Sequence, residues 1–445
     1  MVPITGIPRC TRLLSVTKVQ NYRLRSPHQH RYGTSAACSR GPLSGIRILD
    51  LTRVLAGPFC TQILADYGAE VLKVENPKGG DDTRLWRTAA EENIWQATDK
   101  DISAYFCAIN RNKKSITLNI KQKKGQEILF RLVKNADVVV DNFVPGKMEA
   151  MGIGYDVLRK VNPSMVHASV SGYGASGPYS NRAGYDAIAA AEAGMLHITG
   201  DRGGPPTRPG LGLTDMSTGL YLHDAILAAL YARKETGKGQ KVDVSLFETQ
   251  VSLLSNVAMS WLNAGEPAMR WGTEHPSIVP YQAFKTKDGY LVLGATNNRQ
   301  FQTLCRLLNR PELAAKSHFI DNDSRIKNRD ELKNILGSII TTKPTEDWLA
   351  ILEGSGMPYG PINTLKEVFS HPQTTARDMI QSLPYEAAVS GQIKVLGIGI
   401  PVKFSETKPD IRLSPPSLGE HTDITLSEMG FSSKEIAEMR QQSIV

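Results

Sequence analysis

Acidic residues are missing from the start of this chain: no Asp or Glu precedes Asp50. Residues 1–40 hold Arg9, Arg12, Lys18, Arg23, Arg25, Arg31 and Arg40, seven of the cations behind a formal net charge of +8, so the remaining residues carry +1. The basicity is that of a leader, and the near-neutral body gives no support for a nucleic-acid partner. The leader also lacks the apolar run of a secretory signal. Its Arg and Ser, with spaced Leu13, Leu14 and Val16, read as a mitochondrial transit peptide over 1–40, which places the mature chain in the matrix. The plainer alternative is a basic tail or nucleic-acid arm.

Cysteine is scarce. Of five, Cys10 and Cys38 lie in the leader, Cys60, Cys107 and Cys305 are scattered, and no Cys-x-x-Cys pair occurs. A disulfide framework and a structural zinc site are thereby disfavoured, and neither a metal nor a prosthetic group is expected. No apolar run reaches the ~18–20 residues that span a bilayer, so no membrane span is predicted. The turn "TRVLAGPF" after the first strand lacks G-x-G-x-x-G, which weakens a dinucleotide reading. "TGKGQ" (236–240) lacks both the upstream glycine and a Ser/Thr after Lys238, and reads as a tight turn, not a P-loop. H-E-x-x-H and G-x-S-x-G are absent, so metal hydrolysis and serine-hydrolase chemistry lose their usual support.

What the chain does have is core: 41% of its 445 residues are hydrophobic against 22% charged. That length exceeds what one core usually serves, so two domains, or one with a large insertion, are expected. "GIRILDL" (45–51), "VLKVE" (71–75), "SITLNI" (115–120), "DVVVDNF" (137–143) and "MVHASVSGYG" (165–174) are strand-like, and helical spacing fills 56–70, 125–136 and about 217–233. "TGKGQKVDVSLFE" (236–248) supplies a turn, another strand and a helix start. This alternation predicts an α/β fold: an open, doubly wound, mostly parallel (Rossmann-like) sheet. "YQAFKTKDGYLVLGA" (281–295) reads as two strands around a Lys-Asp-Gly turn, the start of a smaller α+β domain. The expected boundaries are 41–260 and 340–445 for the large domain and 265–335 for the small one. "GIGIPVKF" (397–404) is expected to rejoin the large domain as a late strand, and Ser432 with Glu435 is in capping-box register.

One carboxylate stands out. Asp215, in "RPGLGLTDMSTGLY", follows a glycine-rich run and precedes an apolar helix. Its plainer reading is an N-cap or first-turn residue, worth ~1 kcal/mol; the functional one, by the same physics, is a carboxylate kept ionised beside a helix terminus, where glycines let a ligand approach.

At this point the sequence resembles a family. "LDLTRVLAGPFCTQILADYGAEVLKVENPKGGDDTR", "NRNKKSITLNIK", "VVVDNFVPGKMEAMGIGYD", "SVSGYGASGPYSNRAGYDAIAAA", "RPGLGLTDMSTGLY", "TGKGQKVDVSLFE" and "LGEHTD" follow in order the pattern of the family III CoA-transferases, the formyl-CoA and carnitine CoA-transferase group, over residues 41–445. "RWGTEHPSIVPYQAFKTKDGY" and "EGSGMPYGPINTLKEVF" are most similar to its mitochondrial members that move CoA from succinyl-CoA to glutarate. The resemblance implies an interlocked homodimer, CoA thioesters and dicarboxylates as substrates, and Asp215 as a nucleophile that carries CoA as an aspartyl thioester.

The resemblance also implies CoA contacts at Val54, Leu55, Ala56, Leu118 to Lys121, Asn142, Phe143, Tyr185 and Asp186, with oxyanion donors near Asp215 and at Gly177 or Gly184. Two positions depart from the pattern, Asn76 and Ala150 standing where the family often has Arg. Lys78, Lys113, Lys114, Lys121, Lys147 and Arg182 are the substitute phosphate cations, each equally a solvated surface charge. His275 and Lys113 are candidates for the acceptor's distal carboxylate, and Glu420 with His421 either line the site or cap a helix. Racemases of the same fold family place a His where this chain has Tyr185. A phenol with pKa ~10 is a poor base near neutrality, which favours transfer over racemisation. A second rival, a catalytically dead CoA-binding scaffold, is at odds with an intact Asp215.

Overall fold

The protein is described here from a computed structural model, which covers residues 41–93, 102–383 and 396–445. The expected transit peptide lies outside the described residues.

Six short strands, β1 (Arg47–Asp50), β2 (Glu70–Glu75), β3 (Lys113–Thr117), β4 (Val138–Asp141), β5 (Val166–Ser171) and β6 (Lys241–Ser245), pair in the order β3-β2-β1-β4-β5-β6. Every pairing is parallel. The expected doubly wound α/β fold is present, and its strand order reverses between β1 and β4.

Parallel strands need crossovers, and the crossovers bury both faces of the sheet. The strand sequences show it residue by residue. Ile48, Val138 and Val140 face one core, shared with Cys60 and Leu64 of helix α1 (Ala56–Asp66) and Leu222 and Ile226 of a long helix, Leu213–Thr236. Leu49 and Val139 face the other core, with Ile128 and Leu129 of the helix Lys123–Val133 and Ile436, Met439 and Val445 of the C-terminal segment. The C-terminal helix Ser433–Gln441 begins on the expected Ser432/Glu435 capping box. Gly219 lets the long helix come against α1: a Cβ there would stand 2.7 Å from the Ala56 carbonyl oxygen.

A third core contains residues from Val279 to Met357. It lies against the antiparallel strands β7 (Tyr281–Lys285), β8 (Tyr290–Gly294) and β9 (Tyr359–Pro361), in the order β7-β8-β9. The Lys-Asp-Gly turn joins the first two as expected. Ile340, Trp348, Leu352 and Met357 all belong to this core, so the segment just after residue 340, assigned by sequence to the large domain, packs with the small one. The late strand is shorter than expected. Among the described residues β11 (Leu396–Ile398) pairs with β10 (Ile380–Ser382), in a two-stranded antiparallel sheet apart from the six-stranded one, while its segment does return to the large domain, where Arg111 donates to the Ile398 carbonyl and Phe404 meets Tyr67 edge-on at 5.3 Å. Leu396 and Ile398 are exposed, and an apolar run by itself does not say which sheet a strand will join.

Candidate active site

A cleft of about 540 Å³ opens where the strand order reverses, at the C-terminal ends of β1, β4 and β5. Open parallel sheets place ligands at this position, because neighbouring crossovers leave in opposite directions and part there. Arg53, Val54, Leu55 and Ala56 line it from β1, Asn142, Phe143, Val144, Pro145 and Lys147 from β4, and Ser171 and Gly172 from β5. Arg182, Ala183, Gly184, Tyr185 and Asp215 complete it. A neighbouring cavity of about 270 Å³ shares Arg53, Phe143 and Lys147 and adds Asn76 and Leu118 to Lys121. Val54, Leu55, Ala56, Leu118 to Lys121, Asn142, Phe143, Tyr185 and Asp215 thus fall on two joined recesses, with Asp186 one hydrogen bond behind Asp215.

The first turn of the sheet is held tightly. Val54 has φ +71°, a left-handed conformation that a β-branched residue rarely adopts and that costs about 1–3 kcal/mol. Its N–H donates to Asp81 Oδ1 at 3.1 Å, and Asp81 is buried with its other oxygen 2.9 Å from Lys73 Nζ. Next to it, Arg53 N–H donates to Asn142 Oδ1 (3.1 Å), while Asn142 Nδ2 donates to the Arg53 carbonyl (2.7 Å). Asn142 therefore uses its amide to fix the backbone that lines the cleft. On the opposite wall Gly172 and Gly184 meet so closely that a Cβ on Gly184 would lie 2.4 Å from Gly172 Cα. Only glycine permits that approach, which brings Tyr185 and Asp186 to the site.

The helix that carries Asp215 starts earlier than expected, at Leu213, with Gly212 as N-cap. Asp215 is the acid of its first turn, and its side chain makes no capping bond. A distant carboxylate takes that part: Asp186 Oδ1 accepts the Asp215 N–H at 3.1 Å. The surroundings of Asp215 oppose the ionisation expected from the helix terminus. Burial, with the Asp186 charge adding to it, pushes the Asp215 carboxyl up to about 7. On the same side lie Arg208, whose Nε is 4.0 Å from Asp186 Oδ2, and Tyr105, whose ring meets Trp86 edge-on at 5.5 Å. Burial raises the Tyr105 phenol, with the charges of Asp215 and Asp186 adding to the effect and Arg208 opposing it, so all three are within its electrostatic reach.

Several candidates are placed elsewhere. Lys113 is wholly buried, 3.0 Å from Asp50 and donating to the Pro58 carbonyl and Asn110 Oδ1, so it reaches neither a phosphate nor a distal carboxylate. His275 stacks on Tyr281 of the small module and accepts from Ser277 N–H, outside the cleft. His421 Nδ1 accepts from Ser115 N–H at 3.3 Å and so braces the edge strand β3, while Glu420 accepts from Ser417 N–H within its own loop. Gly177 and Ala150 line neither recess, and Lys78 and Lys114 are exposed outside them. Arg182 lines the cleft but pairs with Glu192 at 3.0 Å and lies over the Tyr173 and Tyr179 rings. Lys121 and Lys147 remain exposed at the recesses, joined by Arg53, which the sequence reading passed over although it ends the first strand's turn.

Cys60, Cys107 and Cys305 are buried, and burial pushes the thiol of Cys107 up to about 12 and that of Cys305 to about 11. Among the described residues, no cluster of three His, Cys, Asp or Glu is arranged to hold a metal ion, and no helix is long and apolar enough to cross a membrane. The cleft thus offers a half-buried carboxylate, Asp215, that no cation contacts directly, next to a recess edged by Arg53, Lys121 and Lys147.

Comparison with known proteins identifies the family. The family described as CoA-transferase family III matches residues 43–422. An acyl-CoA transferase from Fusarium pseudograminearum is 54% identical, covering 96% of this chain and 92% of its own. The succinyl-CoA:glutarate CoA-transferase of Homo sapiens is 46% identical over 91% of this chain and 90% of its own. Among solved structures, a CaiB/BaiF family protein from Brucella suis superposes with a TM-score of 0.78 at 38% identity, covering 88% of this chain and all of that one.

Proposed function

The chain belongs to CoA-transferase family III, and from that membership we propose that it moves CoA from succinyl-CoA to a dicarboxylate, glutarate first among them, through a thioester on Asp215. The observation that carries this reading is Asp215 itself: a half-buried carboxylate with no cation to pair with, on the wall of the cleft.

In the proposed cycle ionised Asp215 attacks the succinyl-CoA carbonyl and CoA leaves as thiolate, giving a succinyl-aspartyl anhydride. The thiolate attacks the aspartyl carbonyl, which releases succinate and leaves aspartyl-CoA. The acceptor carboxylate attacks that thioester, expels thiolate again and forms a new anhydride. Attack of the thiolate on the acceptor's acyl carbon gives the new acyl-CoA and restores Asp215. Thioester energy is retained throughout, which is the advantage of covalent catalysis for an exchange of this kind.

Backbone N–H groups at Gly184 and at the start of the long helix are suited to stabilise the oxyanions. Val54, Leu55, Ala56, Asn142, Phe143 and Tyr185 form the wall for the pantetheine arm, with Leu118 and Lys121 at the adjoining recess for the nucleotide. Arg53, Lys121 and Lys147 take the phosphate role left open by Asn76 and Ala150. Tyr185 at the racemase histidine position supports transfer over racemisation.

An interlocked homodimer belongs to the same reading. Helix Ser255–Ala264 has no buried residue, and Met259, Trp261 and Leu262 are exposed on it, a surface suited to a second copy. The acid-free leader supports delivery to the mitochondrial matrix.

The test is incubation with succinyl-CoA and a panel of glutarate, oxalate, formate and carnitine, following acyl-CoA products by mass. Glutaryl-CoA formation is expected. Failure of every dicarboxylate would remove the substrate assignment, and deuterium exchange at the α-carbon of a 2-methylacyl-CoA would favour racemisation instead.

A further inference from the structure

We propose that Arg208 grips the distal carboxylate of the dicarboxylic substrate and so sets the preference for dicarboxylates over monocarboxylates. The proposal rests on the transferase reading above, and specifies how the same site selects its acid.

A substrate bound for transfer brings its reacting carbon or carboxyl to Asp215 and a second negative charge a few methylenes away. With the donor, ionised Asp215, Asp186 and the distal carboxylate of succinyl-CoA share one small region; with the acceptor, Asp215 is a neutral thioester and the dianion meets Asp186. In either half of the cycle like charges repel unless a cation lies near. The cations that line the recesses are engaged or set apart. Arg53 Nη1 is 2.9 Å from Asp82, Arg182 is paired with Glu192 and laid across two tyrosines, Lys121 lines only the adjoining recess, and Lys147 lies where the two recesses meet.

Arg208 differs in both respects. It lies in the loop that enters the Asp215 helix, and its side chain is 57% exposed. Its nearest anionic contact, Asp186 Oδ2 at 4.0 Å, is beyond hydrogen-bond distance. Asp186 bridges the two residues, its other oxygen holding the Asp215 N–H at 3.1 Å, so the guanidinium is tethered electrostatically beside the nucleophile with its planar donors still available. A carboxylate can take those donors in pairs. Leu55, packed on Gly212, and the partly exposed Leu213 lie along the chain from Arg208 to Asp215, an apolar surface for intervening methylenes.

The experiment compares wild type, Arg208→Gln and Arg208→Lys with two acceptors, glutarate and its near-isosteric monoamide glutaramate, using succinyl-CoA as donor and titrating each acceptor. Wild type is expected to prefer glutarate strongly. Arg208→Gln should raise the glutarate KM by about 30-fold or more with a smaller change in kcat, and collapse the glutarate/glutaramate ratio towards one. Arg208→Lys should restore part of that ratio, since it returns the charge without the fork.

Equal loss with both acceptors, or an unchanged glutarate KM, would overturn the assignment, and melting curves of the variants separate misfolding from the first of these outcomes. If wild type prefers another dicarboxylate, that acid and its monoamide replace the pair. A wild-type enzyme that serves no dicarboxylate would instead sink the dicarboxylate assignment, and Arg208's role with it.

Discussion

Asp50 and Asp215 are both carboxylates withdrawn from water within one fold, and their surroundings drive them in opposite directions. Burial alone would raise Asp50. Lys113 at 3.0 Å, Lys73 beyond it and the hydroxyls of Thr52 and Thr61 overcome that and hold it well below the usual carboxylate range. Asp215 is likewise desolvated, but its charged neighbour is another carboxylate, Asp186, and it is pushed up to about 7. The difference lies in the partner, since burial acts on both in the same sense. Asp50 is neutralised where it sits and cannot attack anything. Asp215 has no such partner, which destabilises its anion, as the proposed attack on an acyl carbon would exploit.

The sharpest way to break this contrast is to remove each side in turn. Asp215→Asn should lower transfer by at least about a thousandfold, read as acyl-CoA exchange, because the amide cannot form the anhydride. Replacing Lys113 with Met leaves Asp50 buried without its main partner and should cost about 3–5 kcal/mol in urea unfolding, with no comparable loss from Lys114→Met, whose side chain is exposed.

The pH dependence sharpens it further. If Asp215 must be ionised to attack, kcat/KM for succinyl-CoA should fall nearly tenfold per unit as pH drops below about 7. Asp186→Asn keeps an acceptor for the Asp215 N–H but removes the charge, so that limb should move to lower pH; a limb that stays in place would show that Asp186 does not act on Asp215 through its charge. Stability gives the smallest signal. Between about pH 4 and 7 the folded chain retains at Asp215 a proton that the unfolded chain has released, so this residue lowers stability as pH rises through that window. Asp215→Asn should therefore raise Tm at pH 8 by about 1–3 °C and leave it unchanged at pH 4.

Much of the sheet was legible in the sequence, because runs such as Val138 to Val140 are apolar on both faces, as a doubly covered strand requires. Asp215 was legible for another reason, its place in a block shared with a family. The start of its helix was not. Ser217 and Thr218 resemble a local cap, whereas the carboxylate that receives the Asp215 N–H comes from Asp186, remote in sequence, and Gly212 carries no side chain to signal the true start. Lys113 and His275 show the same limit. A lysine in a strand and a histidine in a loop look equally available until packing places one beside Asp50 and the other against Tyr281. Arg208 lay inside the stretch that drew attention to Asp215, but only the fold brings it beside Asp186.

The central claim is that the uncompensated Asp215 forms the covalent bond. Incubating the enzyme with succinyl-CoA, trapping with hydroxylamine or borohydride, and digesting for mass spectrometry tests it directly. The account predicts a mass change on Asp215 that is absent without the thioester and absent in Asp215→Asn. Label at another residue, or continued turnover in Asp215→Asn, would contradict it.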